Sequence, residues 1–596
     1  MKLLKKHWLW LFVPAMIVLR SIYALCTNFN EINTHYLQDY SQIYLMGLKY
    51  YTSGIWPYWG PDITYTFSQI PGALQGLLVG LPFYIWNVPE SPILFLNILT
   101  GFSLLFLGWY LSKRISNVPK WFIFGWLFLA PWTLNFSTTT INPSYVFAPA
   151  VFFFIGIIDV LPIYRNALLP RWLAHFMIGL AIGWIMQLHM SWVLLPFYIL
   201  AYGLWLLFKK RYRDVSFASL GIGSGFIIGI ITLIPTIAKY PEVLLNAESV
   251  VVFNPSNLKN IDMISRFLSF TSAEILTFSE GIDGFYALLE AHPWSIPFLI
   301  FLLVIGYIQM AYFIWNFVRP GQKPEFQKIR IFAMWTILLL YTAYLFAVRA
   351  VANYTIYVVA PAALIYGLHS LESVFHVKWI RMVGLMLLVS SILFHVVMGL
   401  VHFENRSLYS KVHLIEDAIQ TKDSRKFAYR RVANWEREFR KNQWTFSQQE
   451  DKIKIQNYFD DYPASIRSEK LVLRDSLKSD YVLQVDSLFP FGETCEIHLD
   501  ELHGKRMLEI NVVAKTNCYD KAMICIACAK EDSVFHWTSH HFVPPRPPQS
   551  YSWYVFHDSI PERFLGEDLF LSVHPWIPNP VKSDSLWLDN FEIIIH

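Results

Sequence analysis

The sequence predicts a polytopic α-helical membrane protein of about eleven transmembrane helices, followed by a C-terminal β-sandwich of jelly-roll type. Three observations carry that prediction. The 596 residues are 55% hydrophobic and 17% aromatic but only 15% charged, well below the charge content of an ordinary soluble domain. Apolar windows close to spanning length recur through the first 400 positions. Beyond about Lys452 the pattern changes to short runs of β-branched and apolar residues between turn signals.

The apolar windows fall at 8–25, 93–111, 121–135, 146–162, 173–188, 191–208, 216–237, 296–317, 331–348, 352–370 and 382–400. The first begins with Lys2, Lys5 and Lys6 and has no small-residue cleavage site, so it reads as a retained span rather than a signal peptide. Segment 72–88 is apolar too, but Pro71 and Pro82 interrupt it. Leaving it out places Lys113/Arg114/Lys120, Arg165/Arg171, Lys209–Arg213, Arg319–Arg330 and Lys378/Arg381 on the N-terminal, cytoplasmic side. Counting it would reverse every cluster after the first, so 72–88 reads as an interfacial or re-entrant helix on the outer face.

That topology puts 26–92, 136–145, the 189–190 corner, 238–295 and Arg349 outside. The expected organisation is a transmembrane domain over 1–401, a charged, partly helical linker over 402–451 and an outer sandwich over 452–596. Strands are expected at Lys470–Arg474, Tyr481–Val485, Met507–Ala514, Ala522–Cys528 and Leu586–Ile595.

A first outer loop of this length, rich in Trp and Tyr, is uncommon without a function. Asp39 heads an expected helix that ends near Ser53-Gly54. It suits a general base at a low-dielectric boundary, and with Gln42 it also suits a helix N-cap; one carboxylate can do both. Asp62 follows a Gly60-Pro61 turn signal, and turn geometry alone accounts for it. Trp56, Tyr58 and Trp59 fit sugar stacking or headgroup anchoring. His189 sits where two spans meet on the outer side, as a pocket residue or a hydrated corner. Arg349 closes the ninth window just before Tyr354, where a guanidinium suits phosphate or simple interfacial anchoring. Lys259 and Arg266 are weaker phosphate candidates. Asn142 lies in the short second outer loop.

Other chemistry is argued against. Net charge is only +4, so nothing points to nucleic acid. The sequence holds no Walker loop, dinucleotide fingerprint or His-Glu-x-x-His, which weighs against an ATP-driven pump or a membrane zinc protease. Cys525 and Cys528 have a metal-like spacing, but in a strand they point to opposite sides. With Cys495 and Cys518 they allow a four-thiolate site, one disulfide or buried thiols.

The order of these parts resembles the GT-C glycosyltransferases, the polyprenyl-phosphate-sugar-dependent class that includes protein O-mannosyltransferases and aminoarabinose transferases. Gln38-Asp39-Tyr40, closing on Gly54, is similar to that family's acid-led helix. Trp59-Gly60-Pro61 and Gln69-Ile70-Pro71-Gly72 resemble its Gly-Pro turn and its Pro-led interfacial helix. Gly183 to Ser191 resembles the His-x-Ser corner of bacterial members, and Arg349 with Tyr354, Tyr357 and Pro361 its late-span start. The resemblance covers roughly residues 1–400. Tyr40 stands where many members carry a second acid, and 136–145 has no carboxylate, so no metal or other cofactor is expected. Leu588-Asp589-Asn590-Phe591 resembles the last strand of a carbohydrate-binding jelly-roll, by fold-level analogy.

The resemblance implies a GT-C-like helix arrangement and transfer of a sugar from a polyprenyl-phosphate donor to an extracytoplasmic hydroxyl of a glycan, lipid or protein, with inversion. It implies Asp39 as general base; Arg349, Lys259, Arg266 and Tyr354 on the lipid phosphate; and His189, Tyr58, Trp59, Asp62 and Asn142 around the sugar or acceptor. It places the chain in a bacterial cytoplasmic membrane, N-terminus inside and sandwich outside. The alternatives are a non-enzymatic assembly scaffold and a lipid or glycan transporter; the latter calls for ionisable residues deep in several spans.

Overall fold

The computed structural model describes all residues except 1, 28–36, 63–68, 131–132, 135–138, 241–252, 260–266, 269–281, 320–322, 348–356, 405–410, 423, 425–444, 449–451, 458–470, 474–480, 488–489, 491–494, 531–532, 544–550 and 566–568. At further positions, Asp39, Asp62, Asn142 and Lys259 among them, only the backbone is described. The chain divides into two compact units, Met1–Lys422 and Asp423–His596.

The first unit is helical. After α1 (Lys2–Thr27), the segment before the next long helix contains α2 (Leu37–Ser53), a small hairpin of β1 (Trp59–Asp62) and β2 (Gln69–Pro71), and α3 (Leu74–Ile85). There follow α4 (Ser91–Arg114), α5 (Lys120–Leu129), α6 (Phe147–Val160), α7 (Arg171–Ile185), α8 (Pro196–Phe208), α9 (Tyr212–Gly229) and α10 (Ile234–Lys239). The remainder is α11 (Ile282–Ala291), α12 (Ile296–Val318), α13 (Pro324–Tyr344), α14 (Ala360–Leu371), α15 (Lys378–Glu404) and α16 (Lys411–Thr421).

Among the described residues, five helices are long and apolar enough to cross a membrane: Ser91–Arg114, Pro143–Val160, Met190–Phe208, Pro293–Val318 and Lys378–Val401. The expected count of about eleven is not confirmed, and Pro and Gly shorten several of the expected windows. Before Pro131, Ala130 leaves the helical region at φ −57°, ψ 133° and ends α5 after ten residues. The expected 216–237 window breaks after Gly229, ahead of Pro235. Segment 72–88 gives the twelve-residue α3, about 18 Å long and too short to span.

Two contacts organise this unit. The backbones of α7 and α9 touch: a Cβ at Gly179 would lie 1.8 Å from the Ile222 carbonyl oxygen, and one at Gly225 2.0 Å from that of Phe176. Small residues four apart permit such an approach in an apolar bundle. Elsewhere, Arg114 at the end of α4 pairs with Asp159 in the last turn of α6 at 2.5 Å, both side chains nearly inaccessible. Tyr110 donates to the same carboxylate at 3.0 Å, and the Leu168 and Leu169 N–H groups donate at 2.8–3.1 Å. Asp159 is thus held by a buried partner set at a helix end.

The second unit is a β-sandwich. One sheet has the order β10-β9-β12-β7, from β7 (Cys495–His498), β9 (Met523–Lys530), β10 (Ser533–His541) and β12 (Phe570–Trp576). The other runs β11-β8-β13-β4-β3, with β3 (Thr445–Gln448), β4 (Ile453–Asn457), β8 (Met507–Thr516), β11 (Ser552–Ser559) and β13 (Ser585–Ile595). There β6 (Tyr481–Asp486) also pairs with β13, and β5 (Leu471–Leu473) with β6. Strand β3 lies inside the segment read from sequence as charged linker. Alternate residues of both sheets, including Ile510, Val512, Ile524, Ile526, Val573 and Ile593, form the core.

Cys528 faces this core and Cys525 the opposite side, as strand alternation requires. Cys495, Cys518, Cys525 and Cys528 are buried thiols. Among the described residues no His/Cys/Asp/Glu group is arranged for a metal, and neither a disulfide nor a four-thiolate site forms.

Candidate functional site

Helix α2 starts at Leu37, so Asp39 stands in its first turn and not before it. This corrects the N-cap reading with Gln42 as partner. A first-turn position still favours a negative charge, because the peptide dipoles point their positive ends there. The residues from Gln42 to Lys49 are buried, and the Tyr44 hydroxyl donates to the Pro89 carbonyl at 2.8 Å. The helix carrying Asp39 is thereby fixed against the entry to α4.

The hairpin after α2 pairs Trp59 with Pro71 and Asp62 with Gln69. Gly72 follows at φ 120°, a conformation that favours glycine, and its N–H donates to the Tyr58 carbonyl at 3.0 Å. A Cβ there would strike the Gln187 side chain at 2.6 Å. Gln187 in turn donates to the Gly183 and Gly229 carbonyls and accepts from the Thr232 hydroxyl at 2.8 Å. Thr236 donates to the Tyr58 carbonyl at 2.6 Å. The close α7–α9 crossing thus becomes a seat for the hairpin that follows α2.

On this seat the Tyr58 and Tyr240 rings meet edge to face at 5.7 Å, and Trp59 lies 5.4 Å from Tyr240. The ammonium of Lys239 sits 4.4 Å from the Tyr58 ring centre. Trp59 is only 3% exposed. It is packed in this cluster, not displayed as a headgroup anchor.

His189, two residues beyond Gln187, adjoins the same seat. It caps the short turn Met190–Leu194: its Nδ1 accepts from the Ser191 N–H at 3.2 Å and lies 2.9 Å from the Ser191 hydroxyl. The ring is half-buried. Sequence order gives no hint that His189 and Tyr58 share a neighbourhood, because α9 and α10 supply the link.

Asn142 opens the turn Asn142–Val146. From that turn Tyr145 donates to the Pro92 carbonyl at 3.5 Å, and the adjoining Phe147 stacks on Tyr357 at 5.0 Å. Lys259 ends the turn Pro255–Lys259, which is tied to the end of α13 by Asn257 donating to the Tyr344 carbonyl at 2.9 Å. Arg266, Arg349 and Tyr354 lie outside the described residues.

Two cations were not singled out from sequence. Arg20 is fully buried in α1, and donates to Asn97 Oδ1 and to the Phe128 and Thr133 carbonyls, each at 3.1 Å. It thereby serves the Phe128 carbonyl, which the early end of α5 leaves without a helical partner, and the Thr133 carbonyl beyond that end. An arginine inside an apolar span was the available signal. Lys239 in the last turn of α10 is the other; a lone cation just after an apolar window was its signal.

No family model matches the chain, and no curated protein matches it. Among solved structures, the chain is similar to the arabinosyltransferase EmbB from Mycobacterium smegmatis, determined by single-particle cryo-EM, at a TM-score of 0.33 and 11% identity. The match covers 97% of this chain and 63% of that one, so the chain spans less than two thirds of EmbB. At that TM-score the likeness carries no functional argument.

Proposed function

We propose that the protein is a membrane glycosyltransferase that moves a sugar from a polyprenyl-phosphate donor to a hydroxyl acceptor on the outer face of a bacterial cytoplasmic membrane. Asp39 takes the proton from the acceptor hydroxyl as its oxygen bonds to the anomeric carbon. The bond from that carbon to the phosphate oxygen breaks, the electron pair leaves with the lipid phosphate, and one displacement inverts the centre. Arg349, with Lys259 or Arg266 and with Tyr354, stabilises the charge that grows on the phosphate. His189, Tyr58, Trp59, Asp62 and Asn142 shape the sugar and acceptor pocket.

One observation supports this reading above the others. The first loop is built and seated: α2 carries Asp39 in its first turn, and the following hairpin is bonded to Thr236 of α10 and packs closely against Gln187, two residues before His189. A reacting carboxylate needs such fixed backbone on both sides. The test is transfer of labelled sugar from a total lipid extract to endogenous acceptor by the purified chain in lipid nanodiscs. Transfer that disappears when the extract is first treated with mild acid, which cleaves sugar from polyprenyl phosphate, is expected. Acid-resistant transfer would overturn the donor class. No transfer with an acid-labile donor present would favour a scaffold.

A further inference from the structure

The outward face of the β10-β9-β12-β7 sheet differs from its counterpart across the sandwich. The counterpart is charged: Lys454 pairs with Glu592 at 2.6 Å, Asn511 bridges Glu509 and Glu592, and Lys515 lies over Trp587. On β10, β9 and β12 the outward positions carry no Asp, Glu, Lys or Arg. Glu496 takes an outward register position only on β7, at the far margin.

The register places Trp537 beside Ala527 and Trp576 beside Met523, one indole on each side of β9. They converge at 6.2 Å with their planes 77° apart. Beneath them Met523, Cys525 and Ala527 are buried although they point out of the sandwich. Burial pushes the Cys525 thiol up to about 12, so it is an inert part of this floor. Trp537 nonetheless keeps 49% of its surface exposed. Neutral hydrogen-bonding groups fringe the pair: Ser539 and His541 on β10, and Ser572 and His574 on β12.

A flat indole face with a second indole at a right angle and hydroxyl and imidazole groups around it has a specific complement. That ligand is flat and apolar on one side, carries hydroxyls at its edge, and has no net charge. A sugar ring has this form: its C–H face lies on the indole while its hydroxyls meet the fringe. An anionic headgroup does not, because these strands offer it no fixed cation. We propose that Trp537 and Trp576 form a binding site for a neutral carbohydrate chain, with the sugar ring stacked on Trp537 and Trp576 as its side wall. This assigns one face and two residues to the glycan contact that the jelly-roll resemblance implies. It is independent of Asp39, and either can fail alone.

The test uses the full chain in nanodiscs on a printed array of neutral and anionic oligosaccharides, with Trp537→Ala, Trp537→Phe, Trp576→Ala and Trp553→Ala. Trp553, 59% exposed on the other sheet, is the control. Retention on neutral glycans is expected, lowered at least tenfold by Trp537→Ala and Trp576→Ala, largely kept by Trp537→Phe and unchanged by Trp553→Ala. Thermal melting checks folding; if Trp537→Ala melts early, Trp576→Ala and Trp537→Phe decide the matter. Absence of neutral-glycan retention would overturn the proposal. So would preference for anionic glycans, or equal losses in Trp553→Ala.

Discussion

Gln187 donates to the Gly229 carbonyl at 2.8 Å, across the crossing of α7 and α9, while accepting from Thr232 at the same distance. One buried amide therefore joins both helices behind the hairpin that follows α2. Gln187→Leu keeps the volume but removes these bonds, leaving the Thr232 hydroxyl and two carbonyls without this partner. A loss of about 1–3 kcal/mol is expected, read as a lower melting temperature in detergent with Tyr58 fluorescence altered. An unchanged melt would show that the amide does not hold the seat.

The same crossing depends on the absence of a side chain at Gly179. Gly179→Leu must push α9 away, because even a Cβ meets backbone at 1.8 Å. Overpacking against backbone is expected to cost about 3 kcal/mol or more. A double-label distance measurement between α7 and α9 would show the separation, and unaltered spacing would contradict the close approach.

Asp159 and Arg114 make a buried pair whose two halves behave unequally. Asp159→Leu leaves a guanidinium buried beside Tyr110 and is expected to cost about 3–5 kcal/mol. Arg114→Met with Asp159→Leu removes both charges and should recover most of that loss. Equal destabilisation by the single and double variants would mean that the pair is not coupled.

In the sandwich, Asp558 on β11 accepts from Thr538 at 2.6 Å and lies 2.9 Å from His540 Nε2, closing the gap between edge strands β10 and β11. Partial burial works against its charge, but the bonds from Thr538, His540 and the Ser559 N–H outweigh it and hold the carboxyl below its ordinary value. A carboxylate depressed in the folded state binds fewer protons there than when unfolded. Its stabilisation is fully present above the unfolded value, about 3.9, and is lost as pH falls through the lower folded value. Acid unfolding of the full chain, followed by the Trp signal, should lose this component in Asp558→Asn. An identical acid profile in that variant would remove Asp558 from the latch.

Local patterns were legible in the sequence. Apolar window 93–111 became Ser91–Arg114, the Pro-broken 72–88 became a short helix, and β-branched runs became strands of two sheets. Period-two alternation placed Cys525 and Cys528 on opposite faces. Long-range relations were not legible. The early end of α5 follows from Pro131, yet its Phe128 carbonyl is met by Arg20, more than a hundred positions away. Tyr58 read as a sugar-stacking residue or an interfacial anchor, and nothing in the sequence showed that α10 brings Lys239 onto its ring. Spacing cannot assemble a site from loops that meet only through tertiary contacts. For the same reason the outward pair of Trp537 and Trp576 was hidden within an ordinary strand pattern.

Sugar transfer by membranes holding wild type or Asp39→Asn at matched expression bears most directly on Asp39 as the base. With donor-lipid binding retained, transfer should fall at least a hundredfold in Asp39→Asn, the low end of what a positioned general base contributes. Equal transfer by the two proteins, with equal lipid binding, would take Asp39 out of the chemistry and leave it as a charge at a helix start.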